Sequence, residues 1–405
     1  MKRFNKDASL NKLDNRNNNK TKRNSIIVCA IVLIFAILYF SFARFESNKT
    51  YSLINGNAQI QPIPLTEKMI TLASKGVSDL EYDGTETLGT NGTPDNNLRF
   101  VGATPNNYVY FNCSTNVPSE MNDTTCEKWR IIGIMNNVED ENGNSASRVK
   151  IMRDESLGYY SWDTTTNSIN NNNGINQWGE SGTYEGADLM RELNTDYLGN
   201  TTVGTDNKWY NGANNSKTGA MPSKTLSNYS QSMVQTVKWN TSSNESSSAS
   251  TWLTKNFYAW ERGNYTGKTC TSGDYCNDDV TRTTDWIGKV AVMYPSDYFY
   301  STSGGTITNK TTCLDTRVDL WNGDEVTDCK NNSWVFDLND WQWTLFVRNT
   351  TSYSNSVFSI DETGALSYGG AHPAGGVRPT LYLTSDIAII SGNGSSSKPY
   401  KLIMQ

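Results

Sequence analysis

The residue types that do chemistry near neutral pH are sparse in this chain. His372, in Gly369-Gly-Ala-His-Pro-Ala-Gly-Gly376, is the only histidine in 405 residues and so the only ordinary general base. A single imidazole in a glycine-rich turn reads first as an exposed loop residue. Asp154 with Glu155, and Asp337 with Asp340, are the carboxyl pairs that could act as acid and base on a glycosidic bond, which needs a separation of roughly 5–9.5 Å. Nothing in the sequence brings either pair together. Asp297, after Tyr294-Pro-Ser, reads as a site carboxylate or, more simply, a turn former. Arg378, just before Pro379, could grip an anion but fits better a buried bond to a carboxylate or carbonyl. The chain has no Cys-x-x-Cys, H-E-x-x-H, phosphate-binding P-loop or dinucleotide-binding glycine fingerprint, so no cofactor is expected.

Aromatic residues carry a different kind of chemistry. With 12 Trp, 21 Tyr and 12 Phe, not every ring need be internal, and exposed rings serve carbohydrate or protein contacts. Trp341 and Trp343 are two apart and share one strand face, as a core pair or as a shelf for a ligand.

The cysteines speak of location. Cys29 falls in an apolar run, and the remaining six are Cys113, Cys126, Cys270, Cys276, Cys313 and Cys329. An even number outside the apolar run reads as disulfides formed in an oxidising compartment. Six cysteines allow 15 connectivities, and local pairing as 113–126, 270–276 and 313–329 is the economical expectation. A structural zinc site has too few ligands at close spacing.

Charge and hydropathy agree with that placement. Residues 1–24 hold eight basic residues against two acidic ones, and the chain as a whole is −6, so the body is acidic. An acidic body argues against nucleic acid as a partner. Ser25 to Ala43 is uncharged, flanked by Arg23 and Arg44, and close to the ~20 residues a bilayer span needs. The basic flank predicts a cytoplasmic tail (1–24), a transmembrane signal-anchor (25–44) and everything beyond outside the cell. A cleaved signal peptide ending at Ser41-Phe-Ala43 is the competing reading. The Pro-, Gly- and Asn-rich stretch 45–97, with a short helix around Leu65–Lys75, reads as a stalk before an extracytoplasmic domain at 98–405.

Within that domain the pattern predicts strands at Tyr108–Phe111, Trp129–Met135 and Val149–Met152, the last two joined as a hairpin by a polar loop, Asn136 to Ser147. Glu139-Asp-Glu-Asn-Gly143 in that loop lacks calcium-loop spacing and reads as a solvated turn. Three amphipathic helices follow: Ala187 to Tyr197, Leu226 to Val237, and Trp252 to Trp260. Strands return at Trp286–Tyr294, Trp341–Val347, Val357–Ile360 and Gly376–Leu383, with a tight turn at Gly392-Asn-Gly394. Strands, then helices, then strands describe an α+β fold without internal repeats.

Taken in order, Asn106-Asn-Tyr-Val109, Trp129-Arg-Ile-Ile-Gly133, Tyr160-Ser-Trp-Asp163, Gly186-Ala-Asp-Leu-Met190, Met293-Tyr-Pro-Ser-Asp-Tyr298, Gly376-Val-Arg-Pro379 and the closing Ser391 to Tyr400 segment resemble a family of uncharacterised bacterial surface proteins. More distantly, Gly376-Val377-Arg378 in a Trp-rich domain is similar to the late strand of the C-type-lectin-like fold, which includes formylglycine-generating enzymes. That resemblance implies a mixed sheet with helices around it. Calcium-dependent lectins of this fold hold the ion with a Glu-Pro-Asn-like and a Trp-Asn-Asp triplet. The first is missing here, and Trp321-Asn-Gly-Asp324 is a loose echo of the second, so no metal is expected although calcium stays open. Cys313 and Cys329 look like a staple and not the reactive pair of a formylglycine-generating enzyme.

The resulting expectation is a membrane-anchored surface protein whose extracytoplasmic domain binds or displays a glycan or protein ligand, with Trp321, Asp324, Trp341 and Trp343 as ligand-binding candidates. A surface glycan- or envelope-modifying enzyme and a structural envelope protein are the alternatives. Either enzyme or binder would show a concave site: convergent carboxylates for one, an aromatic-lined groove for the other.

Overall fold

The computed structural model describes residues 61–405 apart from 78, 85–86, 90–91, 166–173, 200–208, 212–224, 245–248, 264–279, 338–340 and 349–353. The expected anchor (Ser25 to Ala43) and basic tail, with Cys270, Cys276 and Asp340, lie outside the described residues. Among the described residues no helix is long and apolar enough to cross a membrane.

The chain folds as mixed α+β, dominated by sheet. Its largest sheet is built on the hairpin of Glu127–Glu139 with Ser145–Arg153. Both strands are buried along most of their length, so both faces are covered and the apolar residues run nearly continuously instead of alternating. Thr380–Tyr382 and then Val290–Ala291 extend the sheet beyond Ser145–Arg153. On the other side Tyr108–Phe111 pairs with the first half of Glu127–Glu139, followed by Tyr400–Met404, Ile387–Ser391 and Ile63–Pro64. Leu98–Phe100 takes the second half of Glu127–Glu139, and that approach fixes Gly133: a Cβ there would lie 2.2 Å from the Leu98 carbonyl oxygen.

A six-stranded sheet runs Leu366–Gly370, Ser356–Ile360, Gln342–Arg348, Ala374–Gly376, Tyr159–Ser161, with Ser243–Asn244 parallel to the end of Gln342–Arg348. Helices Thr254–Glu261 and Pro295–Phe299 pack on each other, and their rings join the core: Phe257 meets Phe299, Phe346 and Phe358 edge-on. A two-stranded sheet pairs Val237–Asn240 with Asp285–Gly288.

The strands at Tyr108, Trp129, Val149, Trp341 and Val357 and the helices at Leu65, Ala187 and Trp252 form where the pattern places them. Two disulfides, Cys113–Cys126 and Cys313–Cys329, join the local pairs expected, the first inside a small satellite core with Tyr110 and Met121.

Other segments differ. The expected stalk is folded from Ile63 onward, within a compact unit spanning Pro62–Gln405. Leu65 and Met69, one helical turn apart on Leu65–Ser74, are both buried, and Leu80–Tyr82 pairs with Leu98–Phe100. The loop expected over Asn136 to Ser147 is mostly strand, leaving a tight turn in which the Asp140 carboxylate accepts the backbone N–H groups of Asn142 and Asn144. Helix Asn228–Ser232 is a single turn, and Val237 belongs to a strand whose residues alternate buried and half-buried. Helical spacing there coincided with a turn followed by period-two alternation.

Two expected long strands each divide between sheets. Trp286–Tyr294 becomes Asp285–Gly288 in the small sheet and Val290–Ala291 in the large one, with Pro295 opening a helix. Gly376–Leu383 becomes Ala374–Gly376 and Thr380–Tyr382, because Pro379 has no N–H to give a ladder.

Candidate functional site: a polar cleft over a buried charge network

The cleft begins with a bulge. Between Met135 and Val138 the strand Glu127–Glu139 carries one residue more than its partner, and Asn137 takes a left-handed conformation, φ 57°. Bulges bend a strand and re-aim its side chains. Here the bend is held by amides: Asn136 Nδ2 donates to the carbonyls of Asp95 and Asn96, its backbone N–H to Asn97 Oδ1, and Asn137 Nδ2 to Asp95 Oδ1. The facing wall is the small sheet, contributing Lys238, Asn240 and Asp285, with Ser242 and Thr284 beyond its strands and Arg262-Gly263 after helix Thr254–Glu261. Tyr294 and Tyr382 complete a cleft of about 270 Å³, just below the roughly 300–1,000 Å³ usual for a small-molecule site.

Polar groups in this cleft fall into two sets. Asp95 is fully engaged: Tyr258 donates its hydroxyl to Oδ2 at 2.6 Å, and Arg262 Nε lies 3.5 Å from the same oxygen. Glu139 pairs with Lys238. The Asn240 carboxamide and the Thr284 hydroxyl, by contrast, make no hydrogen bond among the described residues, while the Asn240 backbone N–H donates to the Tyr294 hydroxyl. These unspent groups sit where the strand pair Val237–Asn240 and Asp285–Gly288 ends, Asn240 as the last residue of the first strand and Thr284 just before the second.

Arg262 connects the cleft with what lies under it. Its guanidinium sits over the Tyr258 ring, donates to the Tyr258 carbonyl and to Glu261 Oε2, and lines the cleft. Burial works against its charge, but Tyr258, Glu261, Tyr294 and Asp95 outweigh burial and raise its pKa. Burial raises the Glu261 pKa, opposed by Arg262 and by the Ser296 N–H and hydroxyl that it accepts.

Beneath the two tyrosines lies an ion network closed to water. Asp297 takes Lys150 Nζ on Oδ2 and Arg99 Nη1 on Oδ1, and Arg99 Nε binds Asp83. Burial pushes the Asp297 pKa up, and Lys150 with Arg99 more than reverses it. Burial lowers the Lys150 pKa to about 8 despite Asp297. The ammonium is ringed by Trp239, Tyr294 and Tyr382, with the Tyr294 centroid 4.3 Å away.

The residues singled out by sequence fall elsewhere. Trp321 is fully buried against Tyr298 and Phe299, whereas Asp324 is exposed in the next turn. Trp341 and Trp343 meet edge-on at 4.6 Å, and Trp343 Nε1 donates to the Tyr160 carbonyl. None of the four lines the cleft. Arg378 is buried and donates to the carbonyls of Arg153 and Val335. Asp154 pairs with Arg130, and Glu155 is exposed. His372 accepts the Ser161 hydroxyl on its carbonyl oxygen. Asp297 is a turn former in part, its Oδ2 accepting the Tyr294 N–H at the start of helix Pro295–Phe299, yet it is also the hub of the buried ions.

Sequence reasoning passed over Arg99, Lys150 and Arg262. Arg99 in Leu-Arg-Phe and Lys150 in Val-Lys-Ile-Met each put a charge in the middle of an apolar strand, a signal that a buried counter-charge exists. No group of three or more His, Cys, Asp or Glu side chains among the described residues could hold a metal ion.

Comparison with protein-family models, with curated proteins and with solved structures finds no match. The cleft and the network below it therefore stand on their own geometry.

Proposed function

We propose that the chain is a membrane-anchored surface protein, belonging with the uncharacterised bacterial family its motifs resemble, whose extracytoplasmic body binds a ligand without transforming it. The cleft between the bulge and the small sheet is the binding site, and a neutral or weakly charged saccharide is the ligand class its chemistry suits. The observation that carries this reading is the pair of unspent groups, the Asn240 carboxamide and the Thr284 hydroxyl, in a cleft that the largely buried Tyr294 and Tyr382 also line. Hydrogen-bonding groups placed in a concave site are what sugar hydroxyls engage. The acids and cations lining the cleft largely cancel one another, which favours a ligand of low charge.

The enzyme reading draws less support, since Asp95 and Glu139 are both held by cations instead of standing free to move a proton. A C-type-lectin-like arrangement is the finer fold we propose, supported by Gly376-Val-Arg378, where one sheet hands over to the other. In this reading calcium plays no part in the cleft.

A glycan array probed with the oxidised protein, with and without chelator, tests the proposal. Saturable binding to one glycan class that survives chelation is the expected result. Silence on the array, with a protein ligand found instead, would overturn the saccharide reading.

A further inference from the structure

Lys150 and Asp297 meet under conditions that favour more than an ion pair. Lys150 is wholly buried and Asp297 is 1% exposed, with Nζ 2.5 Å from Oδ2. Three aromatic rings surround the amine, so no water competes for it. Burial presses both partners toward neutrality, drawing the Lys150 pKa down and opposing the two cations that hold Asp297 below its ordinary range. On the other carboxyl oxygen, Oδ1, Arg99 Nη1 donates at 3.2 Å, and Arg99 Nη2 is buried without a partner among the described residues. A fixed cation on Oδ1 polarises the carboxyl group and stabilises negative charge developing there.

We propose that Lys150 and Asp297 become joined by an intramolecular amide bond once the chain has folded. One proton passes from the Lys150 ammonium to Asp297 Oδ2, giving amine and carboxylic acid. The amine lone pair attacks Cγ, forming the N–C bond, while Arg99 holds the charge on Oδ1. A second proton moves from Nζ to Oδ2, the Cγ–Oδ2 bond breaks, and one water leaves. The amide keeps Oδ1 as its carbonyl, and no oxidant, reductant or cofactor is consumed. Folding supplies the proximity that makes this condensation intramolecular.

The bond would tie strand Ser145–Arg153 to the start of helix Pro295–Phe299 across 147 residues. The two disulfides among the described residues close loops an order of magnitude shorter. A long closed loop removes more disorder from the unfolded chain than a short one.

The mass of the full-length chain, reduced and denatured, tests the proposal. The expected mass is one water below that of the linear sequence, with a peptide map showing the Lys150 peptide joined to the Asp297 peptide. Lys150→Arg keeps the charge but lacks a nucleophilic amine and should restore the full mass. Asp297→Asn should condense with loss of ammonia in place of water. A wild-type chain at the full linear mass overturns the proposal, as does a water loss that maps to any other pair of residues.

Discussion

The Arg262 guanidinium lies 3.4 Å from the centre of the Tyr258 ring, and the hydroxyl of that ring donates to Asp95, which Arg262 also faces. Cation, ring and carboxylate thus form one closed unit between the cleft and the core. The same hydroxyl accepts from Asn97 Nδ2, whose own Oδ1 holds the bulge at Asn136. Tyr258→Phe should therefore cost about 1–3 kcal/mol, the usual penalty for stranding buried hydrogen-bonding groups, as read by chemical denaturation. A loss below about 0.5 kcal/mol would show that the unit does not hold the cleft.

Asn240→Ala should leave stability unchanged within about 0.5 kcal/mol, since the carboxamide has no hydrogen-bond partner to lose among the described residues. Saccharide affinity should fall about 3- to 10-fold, the equivalent of one hydrogen bond, about 0.5–1.5 kcal/mol. Titration calorimetry against wild type reads both the affinity and any change in stoichiometry.

Acid should stabilise the region around helix Asp188–Asn194. Burial raises the Glu192 pKa to about 8, helped by its hydrogen bond to Asp196, and burial with Asp188 raises that of Asp163 to about 7. The folded state then binds more protons than the unfolded state above their ordinary carboxyl pKa values, so stability falls as pH rises. That decline should run from about pH 4.5 to about pH 8 for Glu192 and end near pH 7 for Asp163. Glu192→Gln is neutral throughout, so its stability relative to wild type should climb across that window. Parallel melting curves for the two proteins between pH 5 and 8 would contradict the assignment.

The Cys313–Cys329 disulfide closes a 16-residue loop that holds Trp321 between two 3-10 turns, Val318–Leu320 and Asp324–Val326. Replacing both cysteines by serine should cost about 3 kcal/mol on the chain-entropy estimate. Differential scanning calorimetry of the double variant, with wild type before and after reduction, checks this.

Long periodic elements were legible in the sequence, and so was the α+β class, because Trp129-Arg-Ile-Ile-Gly and Trp341-Gln-Trp-Thr-Leu have enough apolar residues to be strands in any arrangement. Sheet exchange was not legible. Residues 286–294 read as one strand, yet Lys289 is where the chain leaves the small sheet for the large one, a choice made by distant partners at Val237 and Leu381. Ile63 and Pro64 likewise looked like parts of a stalk because the strand that receives them, Ile387–Ser391, is more than 300 residues away. The site was missed for a related reason. Its walls come from Asn136, Asn240, Arg262 and Thr284, polar residues in segments that read as loop or surface, and only the fold brings them together. The tryptophans were conspicuous by type, but seven of them are among the largest fully buried side chains, where their area serves the core.

The measurement that bears most directly on the binding account is hydrogen–deuterium exchange of the oxidised protein with and without the saccharide that the array selects. The account predicts slowed exchange at Asn136–Glu139 and at Lys238–Ser242, the two facing walls of the cleft, with the rest of the chain unchanged. Protection centred instead on Trp321–Asp324 or around Trp341, or no selected saccharide at all, would contradict it.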